Sequence, residues 1–147
     1  MEQRNVLQSS KHKKNASGQF TLKIDGREQT YDQYQYIIKV PTGGLISAAK
    51  HIGPGDYDID TIYLSYPNGA IVDQKQTWKY PNDVVKLPEK WALHYGGARY
   101  VAVTGTMTAT FKTLHEHIKG DFNFDGVEEN GTRTINVSGD FELIVNP

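Results

Sequence analysis

Ile118-Lys119-Gly120-Asp121-Phe122-Asn123-Phe124 and, after a polar loop, Ile135-Asn136-Val137-Ser138-Gly139-Asp140-Phe141-Glu142-Leu143 alternate apolar and polar residues with a period of two. Successive side chains on an extended chain point to opposite faces, so each run reads as a strand with one buried face. A third run lies just before them. Its odd-numbered positions Val101, Val103, Met107, Ala109 and Phe111 are read as one apolar face. Gly, Asn, Asp, His and Glu fill the connections. The three runs make an antiparallel meander that serves as one wall of a β-protein.

Upstream, Phe20, Leu22 and Ile24 alternate with Gln19, Thr21 and Lys23 before Asp25-Gly26. Asp-Gly between alternating runs signals a tight hairpin, because a type I′ turn needs positive φ at both positions. Arg27 to Tyr31 is the short polar return and reads as an edge strand. Tyr34 to Val40 alternates again and is stopped by Pro41 and Gly43-Gly44. Leu45 to Lys50 and Thr61 to Tyr66 are further strands. Residues 70–99 are the least regular part, with Val84 to Leu87 and Trp91 to Tyr95 as short strands. No amphipathic helix and no internal repeat is found. The expected fold is one all-β domain over residues 18–147, an antiparallel β-sandwich or flattened, calycin-like barrel of eight to ten strands. Residues 1–17 are read as a flexible basic tail.

The 147 residues suit one domain with a core large enough to need no staple. With no cysteine, disulfides, thiolate metal sites and a Cys nucleophile are excluded. The formal net charge of −1 gives no case for a nucleic-acid partner. The distribution is uneven: Arg4, Lys11, Lys13 and Lys14 face only Glu2 in the first 17 residues, whereas 116–147 are acidic. No apolar run reaches the roughly 18 residues of a membrane helix. Met1 to Ser17 lacks the apolar stretch of a signal peptide. The default expectation is a cytoplasmic protein, with an extracellular one if a leader was removed or another export route is used.

Val103-Thr104-Gly105-Thr106-Met107, the Gly-x-Phe-x-Phe run at 120–124 and Gly139-Asp140-Phe141 resemble a pattern that ends small bacterial all-β proteins of unknown function, many of them secreted or lipid-anchored. Gly18-Gln19-Phe20-Thr21-Leu22-Lys23-Ile24-Asp25-Gly26 resembles their first hairpin. The resemblance covers both ends of the chain and omits the middle. It implies an all-β fold and is nearly silent on function.

Asp121-Phe122-Asn123-Phe124-Asp125-Gly126 matches the first half of a calcium loop, but position twelve is Thr132 instead of a bidentate Glu. A solvated hairpin is the preferred reading there. His115-Glu116-His117 sets two imidazoles close together without the further ligands that zinc needs. No metal or other cofactor is expected. There is no nucleophile elbow and no phosphate loop, so the chain is read as non-enzymatic.

The remaining signal is aromatic. Trp78, Tyr80, Trp91, Tyr95 and Arg99 in the irregular stretch are the expected ligand-binding residues, because exposed rings stack on sugars and anchor protein interfaces. The competing reading packs both tryptophans beneath the loop as part of the core. The expected function is a binding module for a glycan or a protein. The alternatives are a barrel carrier of a small apolar ligand and a self-associating structural protein that pairs through its polar edge strand.

Overall fold

The computed structural model describes residues 15–147, and among them all regular structure is strand. The strands are β1 (Ala16–Ile24), β2 (Arg27–Thr30), β3 (Gln33–Val40), β4 (Gly43–His51), β5 (Ile59–Pro67), β6 (Gln76–Tyr80), β7 (Ala92–Tyr95), β8 (Ala98–Thr113), β9 (His117–Glu128) and β10 (Thr134–Val145). They form one antiparallel sheet in the order β2-β1-β10-β9-β8-β7-β5-β4-β3, with β6 added along β8. The all-β expectation holds, and the strongly curled sheet forms a half-barrel, consistent with the expected sandwich or flattened barrel.

The curl follows from connectivity. β2 and β3 lie at opposite ends of the strand order, yet only Tyr31 and Asp32 separate them in sequence. The sheet must bend until its two ends meet. The line where they meet, between β1 and β3, is stitched by side chains. The buried Gln35 carboxamide accepts from the Gly18 N–H at 3.0 Å. It donates to the carbonyls of Gly18 at 2.9 Å and Tyr31 at 3.0 Å. Asn15 treats Ile37 in the same way, donating to its carbonyl at 2.9 Å and accepting its N–H at 3.0 Å. A carboxamide carries the same donor and acceptor as a peptide group, so two side chains do the work of a strand ladder.

The meander of β8, β9 and β10 is in the expected place, and β10 pairs with β1 from Ala16↔Val145 to Ile24↔Val137. Phe20, Phe122 and Phe141 meet on its inner face, the Phe20 and Phe141 rings stacked 5.3 Å apart. Gly139 lies between Phe122 and Leu22 in the cross-strand register. A Cβ there would stand 2.4 Å from the Thr21 carbonyl oxygen, so the glycine lets the strands approach as the sheet bends.

Several expectations need correction. β1 begins at Ala16, two residues before the expected start, and the rest of the expected tail falls on residues 1–14, outside the described residues. The face of β8 is not continuous. Ala102 pairs with Gly126 and Thr104 with Asp125, which leaves Val103 as the extra residue of a β-bulge. The bulge turns Val103 out to solvent, 58% exposed, while Tyr100 and Ala102 point in. Residues 84–87 are turn, not strand: the Val84 N–H donates to the Pro81 carbonyl and the Leu87 N–H to that of Val84. β6, unexpected from the sequence, occupies 76–80. Asp25-Gly26 does form the tight turn, with φ of 49° and 85°.

Candidate functional site

β5 pairs with β7 only from Thr61 to Tyr63. Beyond that point the sheet splits, because β6 hydrogen-bonds to β8 and not to β5. Residues 81–91 fill the opening. Trp91 is fully buried there, its indole N–H donating to the Ser65 carbonyl at 2.8 Å, a carbonyl left free where the β5–β7 ladder stops. Its ring lies 5.0 Å from Tyr80 and 6.4 Å from Phe124. Trp78 on β6 is 7% exposed and stacks on Tyr66 at 5.8 Å. Tyr66 passes directly over Gly44, where a Cβ would overlap its hydroxyl. The expectation that both tryptophans are presented to a ligand is therefore corrected. Each is a core ring, sealing a gap that strand pairing leaves open, and neither offers a face to a sugar.

The other three expected residues are placed differently. Tyr80 is half-buried at the rim of the plug. Tyr95 sits at the β7–β8 turn opposite Ala98, and the β4–β5 and β5–β7 registers put it in line with Asp60 and Lys50. Burial pushes the Asp60 carboxyl up, opposed by the Gly96 N–H at 3.2 Å and by the charge of Lys50. Tyr31 lies close enough for Asp60 and Tyr95 to act on its phenol, and its buried hydroxyl has no partner among the described residues. Arg99 is paired with Glu129 at 2.8 Å.

What the plug presents outward is a different surface. Val85 on its crest is 66% exposed and Val103, aimed out by the bulge, is 58% exposed. Between them runs an open groove of about 340 Å³ that also touches Tyr80, Pro81, Val84 and Lys90. On the other side of the crest a second groove, about 470 Å³, is lined by Pro41, Pro67, Asn82, Val84, Val85 and Leu87. The face continues across the outside of the sheet, where Tyr36, Ser47, Tyr63, Ala92 and Val101 share one cross-strand row. Ser47 and Ala92 are buried, while Tyr36 and Tyr63 are partly exposed on that row. Burial pushes the Tyr36 phenol up to about 12, with hydrogen bonding between it and the Ser47 side chain opposing the shift and Tyr63 and Glu89 adding to it. Burial also raises the Tyr63 and Tyr80 phenols, and the nearby Arg99 charge opposes both shifts. All three tyrosines are therefore neutral donors at ordinary pH.

The two motifs with metal-binding spacing take other roles. Asp121, Asn123 and Asp125 lie within extended β9, about 7 Å apart along one face, and not on the tight loop that wraps a calcium ion. The Asn136 amide donates to Asn123 and Asp125, each at 3.0 Å. His117 Nε2 meets Glu142 at 2.8 Å. His115, in a left-handed turn with φ 60°, holds the Tyr66 hydroxyl on Nδ1 at 2.7 Å. Among the described residues, no three His, Asp or Glu gather as a metal site.

Burial and the charge of Lys39 lower the His115 pKa. The unfolded chain, at about 6.5, therefore binds a proton that the folded chain resists. This share of stability is intact above about 6.5 and is lost as pH falls from there through the lowered folded value. A plot of unfolding free energy against pH, by urea titration, should fall less steeply over that window in His115→Phe than in the wild type. Equal slopes would remove His115 as the cause.

Among the described residues no helix is long and apolar enough to cross a membrane. Compared with protein families, curated proteins and solved structures, the chain matches none.

Proposed function

We propose that the chain is a non-enzymatic protein-binding module whose contact surface is the Val85 crest with Val103, Tyr80, Tyr63 and Tyr36. The observation that carries this reading is the pair of exposed valines, Val85 and Val103, that line one open groove together with the partly exposed Tyr80. Charges sit at its border: Asp83, Lys86, Glu89, Lys90 and Arg99. Apolar and tyrosine contacts inside a charged rim are the usual anatomy of a protein interface. The surface belongs to the irregular stretch from which binding was expected, but valines and a proline replace the tryptophans as its apolar part. The carrier alternative has less support. Trp91, Tyr31, Tyr66, Tyr100, Phe20 and Phe111 occupy the interior, and the grooves on the plug are open to solvent.

A peptide library displayed on phage and selected against the immobilised protein tests the reading. Selected peptides should carry apolar or aromatic anchors. Their affinity should fall at least about tenfold for Val85→Glu, an exposed position where the melting temperature should not move. Peptides that bind wild type and Val85→Glu equally, or no enrichment at all, would remove it.

A further inference from the structure

We infer that the natural occupant of this face is a second copy of the chain, docked about a twofold axis through the plug; the inference rests on the protein-binding reading above. A twofold contact uses the same patch on both partners, so the patch must complement itself in shape and in charge. The plug does so in shape. Val85 is exposed and lines both grooves beside the buried Val84 and Leu87, so it forms a crest between two furrows. A crest from one copy then has a furrow beside the partner's crest to enter, and the reverse holds by symmetry.

Charge is balanced in the same way. Asp83 and Lys86 border one groove, Glu89 and Lys90 the other, so each furrow carries one acid and one base. A twofold axis reverses the direction of the segment, setting its Asp83 end towards the partner's Lys90 end. A patch of one sign would repel its own copy; this one does not.

The backbone also argues for side-chain docking over strand addition. β6 has β8 on one side only. On the other side its Lys79 N–H is taken by the Asp83 carboxylate at 2.7 Å, and its Lys79 carbonyl by the Asp83 N–H at 2.9 Å. Asp83 thus caps the strand edge nearest the plug and blocks a second copy from extending the sheet there. At this place what is open to a partner is the crest and its two furrows.

Sedimentation equilibrium over a concentration series up to about 200 µM, where a micromolar contact is well populated, tests this. Wild type should be a monomer–dimer system. Val85→Glu should raise the dissociation constant at least about tenfold with an unchanged melting temperature. Lys112→Glu, on β8 away from the plug, should leave association unchanged. Lys90→Glu should weaken it, because it sets an acid towards the partner's Asp83. A wild type that stays monomeric throughout, or a dimer indifferent to Val85→Glu, overturns the inference. If the monomer still binds selected peptides in a Val85-dependent way, only the choice of partner has failed. If peptide binding is also indifferent to Val85, the protein-binding reading has failed with it.

Discussion

Trp91→Ala should destabilise the domain by about 4 kcal/mol, within the range for truncating a fully buried aromatic. Two effects add. The indole leaves a hole beside Tyr80 and Phe124, in a place where no β5–β6 ladder exists to pull the walls together. The Ser65 carbonyl also loses the donor that reached it at 2.8 Å. Trp91→Phe refills most of the hole but supplies no N–H, so it should recover only part of the loss. Urea unfolding of the three proteins measures this. A cost near zero for Trp91→Ala would mean that the ring is not part of the core, and would return it to the list of exposed binding residues.

The second large effect is expected at the seam. Gln35→Leu keeps the bulk and removes both ends of the carboxamide, leaving the Gly18 N–H and the Gly18 and Tyr31 carbonyls without the partners described above. Unmet polar groups at a partly buried site put the cost at about 2–3 kcal/mol. Gln35→Glu is the sharper comparison. Its shape is nearly unchanged, yet a carboxylate donates nothing to the two carbonyls and places a charge at a site 2% exposed. It should be at least as destabilising as leucine at neutral pH and should recover partly in acid, when the protonated acid regains one donor. Amide exchange should then show β1 and β3 losing protection while β8 to β10 keep theirs. A uniform loss across all strands would mean that the seam does not open separately.

How much of this was legible in the sequence depends on the distance over which each feature is decided. Period-two alternation is a local property, and it found the β8–β9–β10 meander and the β1–β2 hairpin. It failed at Val103, because one inserted residue reverses which parity faces inward, and an apolar valine looks the same on either side of a bulge. Trp78 and Trp91 read equally well as exposed or buried, since their place depends on a gap between β5 and β6 that only the whole sheet reveals. Asn15 falls in the stretch read as a flexible tail and nothing local singles out Gln35, because closing the sheet is a contact between segments that no short window contains. Val85, which carries the proposed contact, sits in an apolar pair that looks like a strand; Pro81 and Pro88 on either side were the signal available for a turn.

The Asn146 N–H donates to the Asn15 carbonyl at 2.6 Å, and Ser17 Oγ meets the Asn146 side chain at 3.0 Å. The first and last described strands are therefore fastened to each other at their outer ends. The described part of the chain thus begins and ends at one spot, beside Asn15 and Asn146.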